Sequence, residues 1–247
     1  MRLNAFHRGQ RGLSMVELMV GITIGMIVTA GASLVAVNQI SEHRRLMQET
    51  QIQQDLRSAA DLLQQDLRRA GYNGSSASGV WAPPSAVGSP SEHSAQTVAA
   101  NGYSAITKSN NDRATSLRYS YAVGSGGAAP ANNEFFGVKW DKSAKVLYLQ
   151  LGQTAGEPNW QPITDPESVR IVDFDINVAS EDLDMGGYCD KPCNSGPGAA
   201  APVCPVQRVR VVSFTIVGEA SHDHKVRRTL TGTERARADE LSGACPA

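Results

Sequence analysis

Two histidines flank an aspartate in the run SHDHK, as His222, Asp223 and His224. Histidines two positions apart share one face of a strand and could ligate a metal ion. They fall between two strand-like runs, where a solvated hairpin turn is the simpler expectation. Oxygen donors gather in DFDINVASEDLDMGG, which supplies Asp173, Asp175, Glu181, Asp182 and Asp184. An oxygen-rich loop suits Ca²⁺, and Asp182 and Asp184 ahead of Gly186 form a weak candidate pair. The EF-hand spacing is not met, and Asp173 and Asp175 read more simply as the wet side of a strand. No Ser/His/Asp or Cys/His set carries a local signature, and no Gly-rich phosphate loop with its lysine is present. The chain is therefore not expected to be an enzyme or to hold a cofactor.

The four cysteines, Cys189, Cys193, Cys204 and Cys245, all lie late in the chain. An even number in a loop-rich region points to disulfides and an oxidising compartment. CDKPC has three intervening residues, one more than the thioredoxin-like redox motif. No paired C-x-x-C knuckles support zinc. Of the three possible connectivities, Cys189–Cys193 with Cys204–Cys245 is the expected one. The first would close a short loop, and the second would tie the C-terminus to the start of a core strand. Pairing of Cys189 and Cys193 separately with the two later cysteines is the alternative.

A third chemical feature is a carboxylate where none is expected. Residues 1–12 carry Arg2, Arg8 and Arg11 and no acid, and no charged residue occurs from Leu18 to Ser41. About 20 apolar residues span a bilayer as a helix. The arginines in front predict a cytoplasmic N-terminal end with the rest translocated. Glu17 stands at the mouth of this run. A secretory signal, with Leu18–Thr29 as its apolar region and Ala30–Ala32 as its cleavage site, would leave Glu17 without a role. So would a plain signal anchor, although a charge at headgroup level is tolerable. Gly21 and Gly25 form a small-x-x-x-small pair that permits close helix packing.

The elements that position these residues can be read from periodicity. From Glu42 to Ala70 neither Pro nor Gly interrupts the chain. Ile52, Leu56, Ala59, Leu63, Leu67 and Ala70 recur at steps of three and four, giving one apolar stripe on a helix that Gly71 would end. Arg57, Asp61, Gln65 and Arg68 occupy the other side. Residues 73–104 are rich in Ser, Ala, Gly and Pro and read as a long connection. Strand-like runs follow from Thr115, Glu134, Lys145, Ser168 and Val206, with a weaker one from Lys225. Several alternate in the half-buried antiparallel manner, as in Val172, Phe174, Ile176 and Val178. A helix followed by strands predicts an α+β fold, with an antiparallel sheet head packed on the amphipathic half of the helix.

The order basic leader, Gly12, Leu13-Ser14-Met15-Val16-Glu17-Leu18 and then an apolar helix resembles the class III leader of type IV pilins and type II secretion pseudopilins. That resemblance implies cleavage by a prepilin peptidase between Gly12 and Leu13, on the cytoplasmic side, and N-methylation of Leu13. Glu17 would become the fifth mature residue, one helical turn from the new amine. The resemblance further implies that Glu17 pairs with a neighbouring subunit's amine when the helices bundle into a filament core. The segment LRSAADLLQQDLRRAGYNG resembles the helix end of the PilW family of minor pilins through Asp66, Leu67, Arg68, Ala70, Gly71 and Tyr72. Members often have a cysteine shortly after this tyrosine, where Ser75 and Ser76 stand here. Major pilins usually carry a proline within the apolar helix, and Leu34 occupies the matching position. These features imply a minor pilin with a pilin-like fold. Its implied partners are the peptidase and N-methyltransferase, other minor pilins and the major pilin, an inner-membrane assembly platform and a tip adhesin.

The implied organisation is a leader over 1–12, a transmembrane and filament-core helix over 13–41, an amphipathic helix over 42–71 and a periplasmic β-rich head over 72–247. A pseudopilin of a secretion machine, or a pilin-like adhesion or DNA-uptake module, is the alternative. A formal net charge of −1 gives no support for nucleic-acid binding. Few aromatics argue against an extensive base-stacking platform.

Overall fold

The computed structural model describes residues 14–74, 101–189, 191–194, 204–243 and 245. One long helix, α1 (Met15–Arg69), precedes nine strands: β1 (Thr107–Asn110), β2 (Ala114–Ser120), β3 (Phe135–Asp141), β4 (Val146–Thr154), β5 (Glu157–Pro162), β6 (Val169–Asp184), β7 (Val206–Ala220), β8 (Arg227–Arg235) and β9 (Glu240–Ser242). The chain divides into two compact units, Met1–Gln48 and Glu49–Ala247. The first contains, among its described residues, the apolar part of α1 and the first turns of its amphipathic part. The second, the head, contains the rest of the amphipathic part and the nine strands among the described residues.

Within the head, strands β1 to β5 form a five-stranded antiparallel meander, and β6, β7 and β8 form a second antiparallel sheet with β9 paired to the start of β7. The α+β architecture is as expected, but the strands make two sheets. Every member of the helical stripe is buried, with Ile52, Leu56, Ala59, Leu63 and Leu67 each 1% exposed and Ala70 fully buried. Ile52, Leu56, Ala60, Leu63, Leu67 and Ala70 share one core with Leu117 and Val138 of the first sheet and Ile176, Val212 and Ile216 of the second. Each buried Leu or Ile stabilises this packing by roughly 1.5–3 kcal/mol, and such packing of an amphipathic face supplies most of a helix's stability in a protein.

Close approach to the second sheet needs small residues: a Cβ on Gly218 would lie 3.1 Å from Leu56, and one on Gly232 2.8 Å from Gln64. Gly71 ends α1 at φ +83°, and its N–H donates to the Ser120 carbonyl at 2.9 Å.

The long connection expected over 73–104 lies largely outside the described residues. Strand β5 was not expected from the sequence. It returns from β4 through Ala155 and Gly156, both at positive φ, as a tight two-residue hairpin turn. Strand β6 also departs from expectation. The acidic run Ala179–Asp184 continues as strand, in register with Val206–Val211 of β7.

The disulfides are Cys189–Cys245 and Cys193–Cys204, so the expected Cys189–Cys193 and Cys204–Cys245 pairs are corrected. The reason is topological. Antiparallel β6 and β7 place the β6–β7 connection at one end of the sheet, where Cys193 meets Cys204 across it. The Cys204 N–H also donates to the Asn194 carbonyl at 3.0 Å. Strand β9 then carries the chain terminus back to the start of β7, which delivers Cys245 to Cys189.

Candidate assembly site

The apolar part of α1 is exposed at every described position through Met47. Met19, Val20, Ile24, Met26, Ile27 and Val28 are each at least half exposed, and the most apolar window of α1 has a mean hydropathy of 2.1. A segment of this kind is stable only in a medium other than water or against other helices. Its hydroxyl side chains are satisfied internally. Thr23 donates to the Val20 carbonyl at 2.9 Å, Ser33 to Thr29 at 2.8 Å and Ser41 to Asn38 at 2.8 Å, and Thr29 donates to Gly25. No hydroxyl there demands water, which suits a lipid or filament interior.

Glu17 is the acidic residue of the first turn of α1 and is exposed. There a carboxylate complements the positive end of the helix dipole. Gly21 and Gly25 lie one helical turn apart, and a Cβ on either would meet nothing within 4 Å. Nothing in the fold requires glycine at these positions, although each costs about 1 kcal/mol of helix propensity relative to alanine. Gly12 and Leu13, the expected cleavage and methylation positions, lie outside the described residues.

Polar ties lock the amphipathic part of α1 to the head. Asp66 accepts hydrogen bonds from Tyr119 at 2.8 Å and Tyr121 at 2.6 Å. Arg68 pairs with Glu234 at 2.9 Å, Ser168 donates to Asp55 at 3.3 Å, and Arg228 pairs with Glu49. The Asp66 ties went unread in the sequence, because the partners of a carboxylate beside a buried stripe arrive from strands more than fifty residues later.

Burial raises the Asp66 pKa above the usual carboxylate value, opposed by the two tyrosine hydroxyls and Arg69. Burial likewise pushes the Tyr119 and Tyr121 phenols up, reinforced by Asp66. A carboxyl raised in the folded state contributes stability fully present below its unfolded pKa and lost as pH rises through the folded one. Asp66→Asn is therefore expected to cost about 1–2 kcal/mol through weakened hydrogen bonds, and to cost less at pH 7 than at pH 4. Thermal unfolding of the full chain in detergent at the two pH values measures this. A cost that grows toward pH 7 would contradict the assignment.

Glu134 behaves oppositely. It is buried and held below the usual range by the Ala131 N–H, then the Tyr103 hydroxyl at 2.7 Å and the Val123 N–H. Its contribution is present above its unfolded pKa and lost as pH falls through the folded one.

The candidate metal residues are not brought together. Asp182 and Asp184 were the weak calcium pair, but the Asp182 carboxylate is engaged by Arg208 at 2.7 and 2.9 Å, its cross-strand neighbour. Arg208 also lowers the Asp182 pKa. Asp184 accepts the Gly186 N–H at 2.7 Å. His224 meets Glu219 at 3.1 Å in the turn after β7. Among the described residues no group of three or more His, Cys, Asp or Glu side chains could hold a metal ion.

The chain matches no curated protein and no solved structure. Two family profiles do match: the prokaryotic N-terminal methylation motif over residues 7–33, and prepilin peptidase-dependent protein B over residues 45–236. The first spans Gly12, Leu13, Glu17, Gly21 and Gly25. The second spans the amphipathic part of α1 and strands β1 to β8, well over half of the chain. By that match, and with a long helix packed on antiparallel sheets, the chain belongs to the prepilin peptidase-dependent protein B family and is a pilin-like prepilin.

Proposed function

We propose that this chain is a minor type IV pilin of the PilW kind, which primes pilus assembly and stays in the tip complex. The observation that carries the reading is the juxtaposition, on one helix, of a methylation motif with an exposed apolar run and a stripe committed to the head. The prepilin peptidase removes residues 1–12 between Gly12 and Leu13, and Leu13 is then N-methylated. Before assembly the apolar helix, 13–41, anchors the protein in the inner membrane with the head, 72–247, in the periplasm. The two disulfides suit that oxidising compartment.

During assembly the helix leaves lipid for a core of like helices, contributed by other minor pilins and the major pilin on the inner-membrane platform. Gly21 and Gly25 permit close approach there, and Glu17 fixes axial register by neutralising a neighbouring amine. No chemistry is catalysed. The head serves as a binding surface for neighbours, including a tip adhesin.

Mass spectrometry of the mature N-terminus tests the processing step. The expected species begins with methylated Leu13, and a chain beginning at Ser33 would overturn the reading. Deletion then identifies the machine. Loss of surface pili is expected, whereas loss of secreted folded enzymes with pili intact would assign the chain to type II secretion.

A further inference from the structure

At the C-terminal end of α1 the head carries a cleft that the helix-driven assembly does not use. Two adjoining cavities, of about 740 and about 430 Å³, share Arg69 and Tyr72 in their walls. Six large apolar side chains are exposed among the described residues of the head, and three of them line this cleft: Tyr72, Val123 and Leu151, at 48%, 61% and 54% exposure. Its floor includes Tyr121, stacked on Phe136 with ring centroids 3.8 Å apart. Clustered exposed apolar groups in a concavity mark a binding surface.

The charge of the cleft is one-sided. None of the described lining residues is acidic. Arg69 lies over the Tyr121 ring at 5.8 Å, and Arg237 lines the second cavity. Both arginines are exposed, and neither has a carboxylate within ion-pair distance among the described residues. Of the nearby acids, Asp66 is bonded to Tyr119 and Tyr121 and feels the Arg69 charge from beyond ion-pair distance, and Glu234 is held by Arg68. Arginine forks recognise carboxylates through paired hydrogen bonds, and apolar walls recognise aliphatic or aromatic side chains. Two joined hollows that alternate cation and apolar wall suit a length of polypeptide.

We propose that this cleft docks a segment of a partner protein in which carboxylates alternate with large apolar side chains, with the carboxylates held by Arg69 and Arg237. That the partner is a neighbouring fibre subunit rests on the pilin reading above. Peptide binding is measured without a fibre, so the two can fail separately.

The probe is a fluorescein-labelled Asp-Phe-Asp-Leu peptide titrated onto the full chain in detergent micelles, followed by anisotropy. Saturable binding is expected. It should weaken at least about tenfold for Asn-Phe-Asn-Leu, for Asp-Ser-Asp-Ser, and for the Arg69→Gln and Arg237→Gln variants, of which Arg237→Gln leaves thermal unfolding unchanged. Four outcomes would overturn the proposal. They are no saturation at millimolar peptide, equal affinity for the amide peptide, equal affinity for a single-stranded oligothymidylate, and binding only after deletion of residues 75–100, which would make the chain's own segment the occupant.

Discussion

Glu17→Ala is expected to leave the chain fully in the membrane fraction while its recovery in sheared fibres falls by at least about 100-fold. Insertion depends on the uncharged run that follows, which the substitution does not touch. On the proposed assembly role, incorporation depends on charge. In a bundle of apolar helices each mature N-terminal amine must leave water, and a buried charge deprived of its partner costs roughly 3–5 kcal/mol. Each 1.4 kcal/mol is a factor of ten in an equilibrium constant. Glu17 is exposed and has no ion-pair partner among the described residues of its own chain, so its carboxylate is free to serve a neighbour. Glu17→Asp, with a shorter reach, should recover part of the incorporation, and Glu17→Gln little. The measurement compares membrane and fibre fractions by immunoblot. Normal co-assembly of Glu17→Ala would sink the docking role without affecting the fold.

Replacing Cys189 and Cys245 together by serine is expected to destabilise the head by about 4 kcal/mol, against about 3 kcal/mol for Cys193 with Cys204. The difference follows from loop length. The first bridge closes a sequence separation of 56 and the second one of 11. In the chain-entropy account, the longer closed loop removes more freedom from the unfolded ensemble. Cys204 and Cys245 are also buried, at 2% and 7% exposure, so serine there leaves polar hydroxyls in a tight site. Thermal unfolding of the oxidised full chain in detergent, wild type against each double variant, gives the order. Non-reducing peptide mapping checks the pairing itself, and a Cys189–Cys193 peptide would refute it. Loss of the longer bridge should also release the C-terminal segment from β7, visible as faster amide exchange over β9.

The membrane-length run, the amphipathic stripe and the helix stop at Gly71 were legible because each is a local pattern. A helix writes its buried face into the chain at steps of three and four, and all six stripe residues lie in the core. Six strands were legible for the same reason, by alternation or by β-branched content. Strands β1, β5 and β9 were not. They are short, with no buried position, and they are held as strands by backbone pairing to neighbours that already alternate. The acidic end of β6 reads as a loop in sequence because its Asp182 carboxylate is matched by Arg208 from across the sheet, 26 residues later.

By itself, the sequence determined the helix, its division into an exposed apolar part and a committed amphipathic part, the α+β class and the order of the leader motif. All of these depend on the identities and spacing of neighbouring residues. Only the tertiary structure decided the split into two sheets, the cysteine pairing, the partners of Asp66 and Asp182, and the cleft between α1 and the first sheet. Each of those depends on which strands pair and in what register. That choice is made by burying one common core and satisfying its backbone hydrogen bonds over separations of tens of residues, a condition no local spacing encodes.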